Sequence, residues 1–114
     1  MAIEKWSDSI AVAELQEEPA FTDDIVALID EVGKKPDFDV VLNFSSVSHV
    51  NSGNIAKLLK LHKTLQSAKR RMLITGVRTN VWGVFLVTGL DKIFEFADSV
   101  STALASVQLG ETEG

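Results

Sequence analysis

Val40-Val41-Leu42-Asn43-Phe44-Ser45-Ser46-Val47-Ser48-His49-Val50-Asn51-Ser52-Gly53-Asn54-Ile55 is the stretch whose reading decides the fold. Its first part, Val40 to Phe44, is a near-continuous apolar run with β-branched residues. A short run of this kind reads as a strand covered on both faces, the signature of a parallel sheet. A polar loop follows from Ser45. From Ile55 onward, Leu58, Leu59 and Leu65 recur at helical spacing with His62 in the same stripe, which predicts a helix ending near Ser67 or Ala68. Strand, loop and helix in this order are the first half of a crossover unit.

Working outward toward the C-terminus, Met72-Leu73-Ile74 is the next buried strand. Thr79 to Val87 is ambiguous, because Val, Trp and Phe favour strands while length and position favour a crossover helix; we read it as helix. Val81, Val84, Phe85 and Thr88 are expected to face the core. Ile93 to Phe96 reads as a last short strand, and Ser99 as the cap of a final helix with Val100, Ala103, Leu104 and Val107 inward. Toward the N-terminus, Ile3 to Trp6 and Ile10 to Leu15 form a hairpin. Thr22 is the expected N-cap of a helix with Asp23 and Asp24 in its first turn, Ile25, Leu28, Ile29 and Val32 on one stripe and Gly33 as its stop. Lys34 and Lys35 suit its negative end. The order β-β-α-β-α-β-α-β-α predicts an α/β fold: a mixed, mostly parallel sheet with an N-terminal antiparallel hairpin and four helices. One domain is expected over residues 1–109, with 110–114 as a loose tail.

The composition supports one core and excludes several chemistries. The chain has 114 residues, 46% of them apolar and 24% charged, which is enough apolar material for one domain. Without cysteine there is no disulfide framework, thiolate metal site or cysteine nucleophile. The start, Met1-Ala2-Ile3-Glu4-Lys5-Trp6, lacks the basic flank and apolar stretch of a secretory signal. The longest apolar run, Val81 to Val87, is broken by Gly83 and is far shorter than the ~20 residues of a membrane span. A cytoplasmic protein is therefore expected. The net charge of −5 argues against nucleic-acid binding. Charge is nevertheless uneven: Lys57, Lys60, Lys63, Lys69, Arg70 and Arg71 form an acid-free basic segment, read mainly as a solvated helix face plus a strand edge. Glu14, Glu17, Glu18, Asp23, Asp24, Asp30 and Glu31 crowd the first third.

In parallel sheets the working residues lie past the carboxyl ends of strands, where helix N-termini project positive partial charge. That directs attention to the loop Ser48 to Asn54. No phosphate-binding glycine loop, dinucleotide fingerprint or nucleophile elbow is present. His49 and His62 have no acid neighbour at metal-ligand spacing, so no metal and no cofactor is expected. His62 reads as a filler on the helix stripe and His49 as a loop residue beside the site. A phosphate-receiver domain would need an aspartate at the end of a central strand, whereas here Asp37 and Asp39 lie at its beginning.

The run Val41 to Ile55 quoted above resembles the strand, loop and helix start of STAS domains, the anti-sigma factor antagonists. A second stretch, Gly76-Val77 followed by Val87-Thr88-Gly89-Leu90-Asp91-Lys92-Ile93-Phe94, is similar to the other hallmark of that family, and the element order agrees with it. The resemblance implies a binding module, not an enzyme. Members of this size bind an anti-sigma factor or serine kinase of the histidine-kinase-type ATPase fold and so release a sigma factor. Phosphorylation of a serine at the helix start abolishes that binding. Phosphate adds roughly −1.5 to −2 charges, which a helix N-terminus tolerates without unfolding.

The sequence departs from the family at that position. The usual Asp-Ser-Ser/Thr-Gly is matched by Asn51, Ser52, Gly53 and Asn54, so a glycine occupies the phosphoacceptor place. Ser52 is the neighbouring hydroxyl, read first as a helix cap and second as a candidate phosphoacceptor. The expected docking surface is Ser48, His49, Asn51, Ser52, Gly53 and Asn54 with Lys57 and Lys60 on the following helix, without phosphate control. A second candidate surface is Trp82 and Leu86, four apart on the third helix, which suggests a protein interface or homodimer. The rival readings are a small-ligand or nucleotide sensor and a scaffold component.

Overall fold

The computed structural model describes residues 3–113, with side chains for residues 3–109. Five strands form one sheet in the order β1-β2-β3-β4-β5: β1 Ile3–Ser7, β2 Ile10–Glu14, β3 Asp39–Asn43, β4 Met72–Thr75 and β5 Glu95–Ala97. β1 pairs antiparallel with β2 in the opening hairpin, and every later pairing is parallel. Four α-helices, α1 Ala20–Lys34, α2 Ser52–Ser67, α3 Thr79–Thr88 and α4 Val100–Glu113, alternate with the strands. The expected α/β architecture is the observed one. The expected boundary between residues 109 and 110–114 falls where side chains lie outside those described.

The double coverage expected for β3 follows from its alternation. Val40 and Leu42 point with Ala11, Ala13, Met72 and Ile74 into a core beneath α1, α2 and α3. Val41 points the other way, with Ile10 and Leu73, onto Ala103 and Val107 of α4. Three of the five buried phenylalanines of the larger core form a chain of ring contacts. Phe44 meets Phe21 edge-on at 5.9 Å and Phe85 at 6.1 Å, so the residue directly after the central strand joins the first and third helices.

Several local expectations are corrected. α1 starts at Ala20, ahead of Thr22, because the Glu18 carboxylate accepts from both the Thr22 amide (2.8 Å) and its hydroxyl (2.6 Å); an acid upstream does the capping work assigned to Thr22. Gly33 does not stop this helix, which runs on to Lys34, where the lysine pairs with Asp30 at 3.0 Å. The inner stripe of α2 is Asn54, Leu58, Leu61 and Leu65, so Ile55 and His62 lie on its flank and Leu59 reaches solvent. His62 packs edge-on against Phe94. In α3, Val81 and Phe85 are buried, Val84 is half-buried and Thr88 is exposed. The last strand begins at Glu95, because Gly89 adopts φ +77° and a single 3-10 turn over Leu90–Lys92 carries Phe94 into the core first. Ser99 caps α4 as expected, accepting from the Thr102 amide at 3.1 Å.

The basic segment is also divided. Arg70 reaches back to buried Asp39 at 3.1 Å, and the Arg71 amide donates to the same carboxylate at 2.7 Å. The Arg71 guanidinium binds Glu95 at 2.8 Å and the Ser106 carbonyl at 3.2 Å, tying β4 to β5 and α4. These two arginines are structural ties at the amino ends of the strands, whereas Lys60 and Lys63 remain on the exposed face of α2. Among the described residues no helix is long and apolar enough to cross a membrane.

Candidate functional site

The carboxyl ends of β3 and β4 carry the candidate loop. β3 stops at Asn43, whose side-chain oxygen accepts from the Ser45 amide at 3.0 Å and so turns the chain. Gly76, directly after β4, has φ +70°, and a Cβ there would lie 2.9 Å from that Asn43 oxygen and 3.1 Å from the Ser45 amide nitrogen. The glycine is required by both conformation and space, since an L side chain in this region is strained. The loop then passes over buried Val47 and reaches the start of α2.

Long-range polar contacts hold the loop from two sides. On one side Glu17 accepts from the Ser48 amide in a very short contact and from its hydroxyl at 3.0 Å. His49 Nδ1 lies 3.0 Å from Ser48 Oγ and 3.9 Å from the other Glu17 oxygen. On the other side the Asn80 amide group donates to the Ser48 carbonyl in another very short contact, and Arg78 Nε donates to the Ser45 carbonyl at 3.0 Å. Serine, histidine and carboxylate thus fall together. The Ser48 hydroxyl lies equally close, at 3.0 Å, to the Glu17 carboxylate and to His49 Nδ1.

The helix start is closed by a reciprocal cap. Asn51 accepts from the Asn54 amide at 2.8 Å, and Asn54 accepts from the Asn51 amide at 3.0 Å. Two of the amide donors left over at the helix end are thereby satisfied. Asn54 is buried, and its remaining amide group donates to Glu18 at 3.0 Å, which links α2 to the entrance of α1. The cap role expected of Ser52 therefore belongs to Asn51; Ser52 is the first helical residue and is exposed.

Gly53 sits in the first turn of α2 without a left-handed backbone. A Cβ there would lie 3.2 Å from the Asn51 side-chain oxygen and 3.7 Å from Lys57 Nζ, and that ammonium is 3.5 Å from the Gly53 carbonyl. The lysine occupies the space beside the missing side chain. Lys60 lies farther along the exposed face.

A shallow open cleft of about 290 Å³ lies between Glu17, Glu18, His49, Val50, Asn51 and Asn54. The Ser48 backbone amide holds the Glu17 carboxyl below its ordinary value, and the Thr22 hydroxyl does the same for Glu18. Both stay ionised at neutral pH. Two carboxylates at this rim oppose an anion that the helix N-terminus would otherwise attract. Among the described residues no three histidine, aspartate or glutamate side chains gather where they could hold a metal.

Sequence reasoning brought together Ser48, His49, Asn51, Ser52, Gly53, Asn54, Lys57 and Lys60, and the fold sets them along one loop and the first turns of one helix. It missed Glu17, Glu18 and Asn80, which are more than 25 residues away in sequence from the loop atoms they bind. The available signal was Glu17-Glu18-Pro19, two acids directly ahead of a helix. The other candidate pair is divided in its surroundings. Trp82 is half-buried, its ring edge-on to Phe96 with centroids 5.0 Å apart, beside a cleft of about 220 Å³ that includes Val77 and Asp98. Leu86 stays 50% exposed, next to Val87 at 89%.

Comparison with known proteins agrees with this fold. The STAS domain family model matches residues 3–103. Among solved structures, RsbS of Moorella thermoacetica, as a serine-to-glutamate variant, superposes with a TM-score of 0.82 at 16% identity, covering 96% of each chain. A protein of Thermotoga maritima described as a candidate anti-sigma factor antagonist superposes at 0.79 with 19% identity, over 91% of this chain and 92% of that one. The Bacillus cell fate determinant SpoIIAA in its phosphorylated form gives 0.71 at 19% identity, over 92% and 96%. The family match spans almost the whole fold, and the chain belongs to the STAS domain family.

Proposed function

We propose that the chain is an anti-sigma factor antagonist-like docking module of a cytoplasmic partner-switching system that controls transcription. In this reading its partner is an anti-sigma factor or serine kinase of the histidine-kinase-type ATPase fold. The docking surface is Ser48 to Asn54 with Lys57 and Lys60, and binding is its whole action, with no bond made or broken by its own residues. The observation that carries the reading is Gly53. The helix start is closed by a reciprocal Asn51–Asn54 cap, has no hydroxyl at the place that the resemblance gives to the phosphoacceptor, and has an ammonium beside it. Such a surface stays in one state where its relatives alternate between two.

The acidic rim disfavours the rival in which the same helix end holds a nucleotide, because Glu17 and Glu18 would face its phosphates. Calorimetry with the purified anti-sigma kinase tests the docking surface. The native chain binds, and Lys57→Glu combined with Lys60→Glu lowers affinity by about tenfold or more, or about 1.4 kcal/mol. Equal affinity of the native and doubly reversed chains would move the interface elsewhere.

A further inference from the structure

We propose that the outer faces of α1 and α2 form one self-complementary surface through which two copies of this chain associate about a two-fold axis. Helical spacing puts Asp23, Val26 and Asp30 on the side of α1 opposite its buried stripe of Phe21, Ile25, Leu28 and Val32. The same spacing puts Leu59, Lys60 and Lys63 outward on α2, opposite Leu58, Leu61 and Leu65. One outer face is acidic around a valine that is 50% exposed; the other is basic around a leucine that is 36% exposed. Among the described residues no ion pair holds Asp23, Lys60 or Lys63, and Asp30 has only its exposed neighbour Lys34.

The arrangement of the helices makes these faces complementary in a second copy. α1 and α2 each connect neighbouring parallel strands, so they run in the same direction side by side. The Glu18–Asn54 hydrogen bond sets their starts level. A two-fold axis parallel to the helices and between them therefore lays α1 of one copy over α2 of the other, twice, with both directions preserved. Val26 is the seventh residue of α1 and Leu59 the eighth of α2, while Asp30 is the eleventh and Lys63 the twelfth. At about 1.5 Å per residue these partners are level within a couple of ångströms. The apolar pair meets apolar, acid meets base, and each contact occurs twice. The net charge of −5 opposes any self-association, so the local pairing must outweigh a general repulsion. This contact does not depend on the partner-switching reading. It covers Lys60, so a dimer and a complex through that docking surface would exclude one another.

Charge exchange tests the geometry. Sedimentation equilibrium of the full chain at low salt, over a concentration series into the millimolar range, is expected to show a monomer–dimer equilibrium. Raising ionic strength from about 0.01 M to about 1 M shortens the screening length from about 30 Å to about 3 Å and should weaken it by tenfold or more. One variant, Lys60→Glu with Lys63→Glu, carries acid on both helices; a second, Asp23→Lys with Asp30→Lys, carries base on both. Each alone is expected to be monomeric with unchanged circular dichroism, and their mixture to form a one-to-one heterodimer. A native chain that stays monomeric throughout overturns the proposal. So do variants that still self-associate, a mixture that does not pair, or assemblies larger than two.

Discussion

At the amino ends of the parallel strands a buried carboxylate, Asp39, faces Arg70 and the Arg71 amide. At their carboxyl ends two exposed carboxylates, Glu17 and Glu18, face amides and hydroxyls of the loop and the helix starts. Both networks tie distant segments together, but they differ in what solvent can reach. The first removes charge from water and ties β3, β4, β5 and α4 together through Asp39, Arg70 and Arg71, with Arg70 also donating to the carbonyl of Ser9, just ahead of β2, at 3.2 Å. The second leaves its polar groups at the surface, where another molecule can exchange for water. Position along the strands separates charges that hold the fold from charges that can meet a partner.

The largest expected effect breaks the buried end. Asp39→Ala removes the carboxylate that pairs with the half-buried Arg70 guanidinium, which keeps neutral partners such as the Ser9 carbonyl, and that accepts from the Arg71 amide; it should cost about 3–5 kcal/mol in urea unfolding. If the cost is below about 1 kcal/mol, the proposed division between the two ends fails. At the loop end, Asn54→Ala removes a reciprocal cap and the link to Glu18, with an expected loss of about 1–2 kcal/mol. A smaller contrast lies between two glycines. Gly76→Ala should cost about 1–2 kcal/mol because φ is +70° and Asn43 is too close. Gly53→Ala should stay within about 0.5 kcal/mol, because a gain in helix propensity opposes the 3.2 Å contact with Asn51. Equal costs at the two positions would mean that Gly53 is a requirement of the backbone and carries no message about phosphate control.

At the exposed end, acid should act through Glu17 and Glu18. Hydrogen bonds hold Glu17 and Glu18 below the ordinary value of 4.5, so the folded chain binds fewer protons than the unfolded chain near that pH. Their stabilisation is complete above about pH 4.5 and is lost as pH falls through the lower folded values. Urea midpoints should decline over that window for the native chain and less steeply for Glu17→Gln with Glu18→Gln. Parallel declines would show that these carboxylates are not held by the loop.

The same division explains what the sequence made legible. Val40 to Phe44 and Met72 to Ile74 announced buried strands because their apolar residues are contiguous or broken by Asn43 alone, and the loop Ser48 to Asn54 followed from the end of the first of them. The inner face of α2 was misread because Asn54, a polar residue, holds a buried position while Leu59 lies outside. Asp39 stands between Phe38 and Val40 in an apolar run; a charge so placed demands a partner when buried, yet nothing local points to Arg70, thirty-one residues on. Glu17 and Glu18 were hidden for the same reason, since only folding brings them to Ser48 and Asn54.

The central claim is a docking surface that phosphate does not switch. Its most direct test is to titrate the chain with the anti-sigma kinase by calorimetry, before and after incubation of the chain with catalytic kinase and magnesium ATP, followed by intact mass. The account predicts binding with the same affinity in both titrations and an unchanged mass. Loss of binding accompanied by one added phosphate on Ser52 would contradict it, and so would failure of the untreated chain to bind.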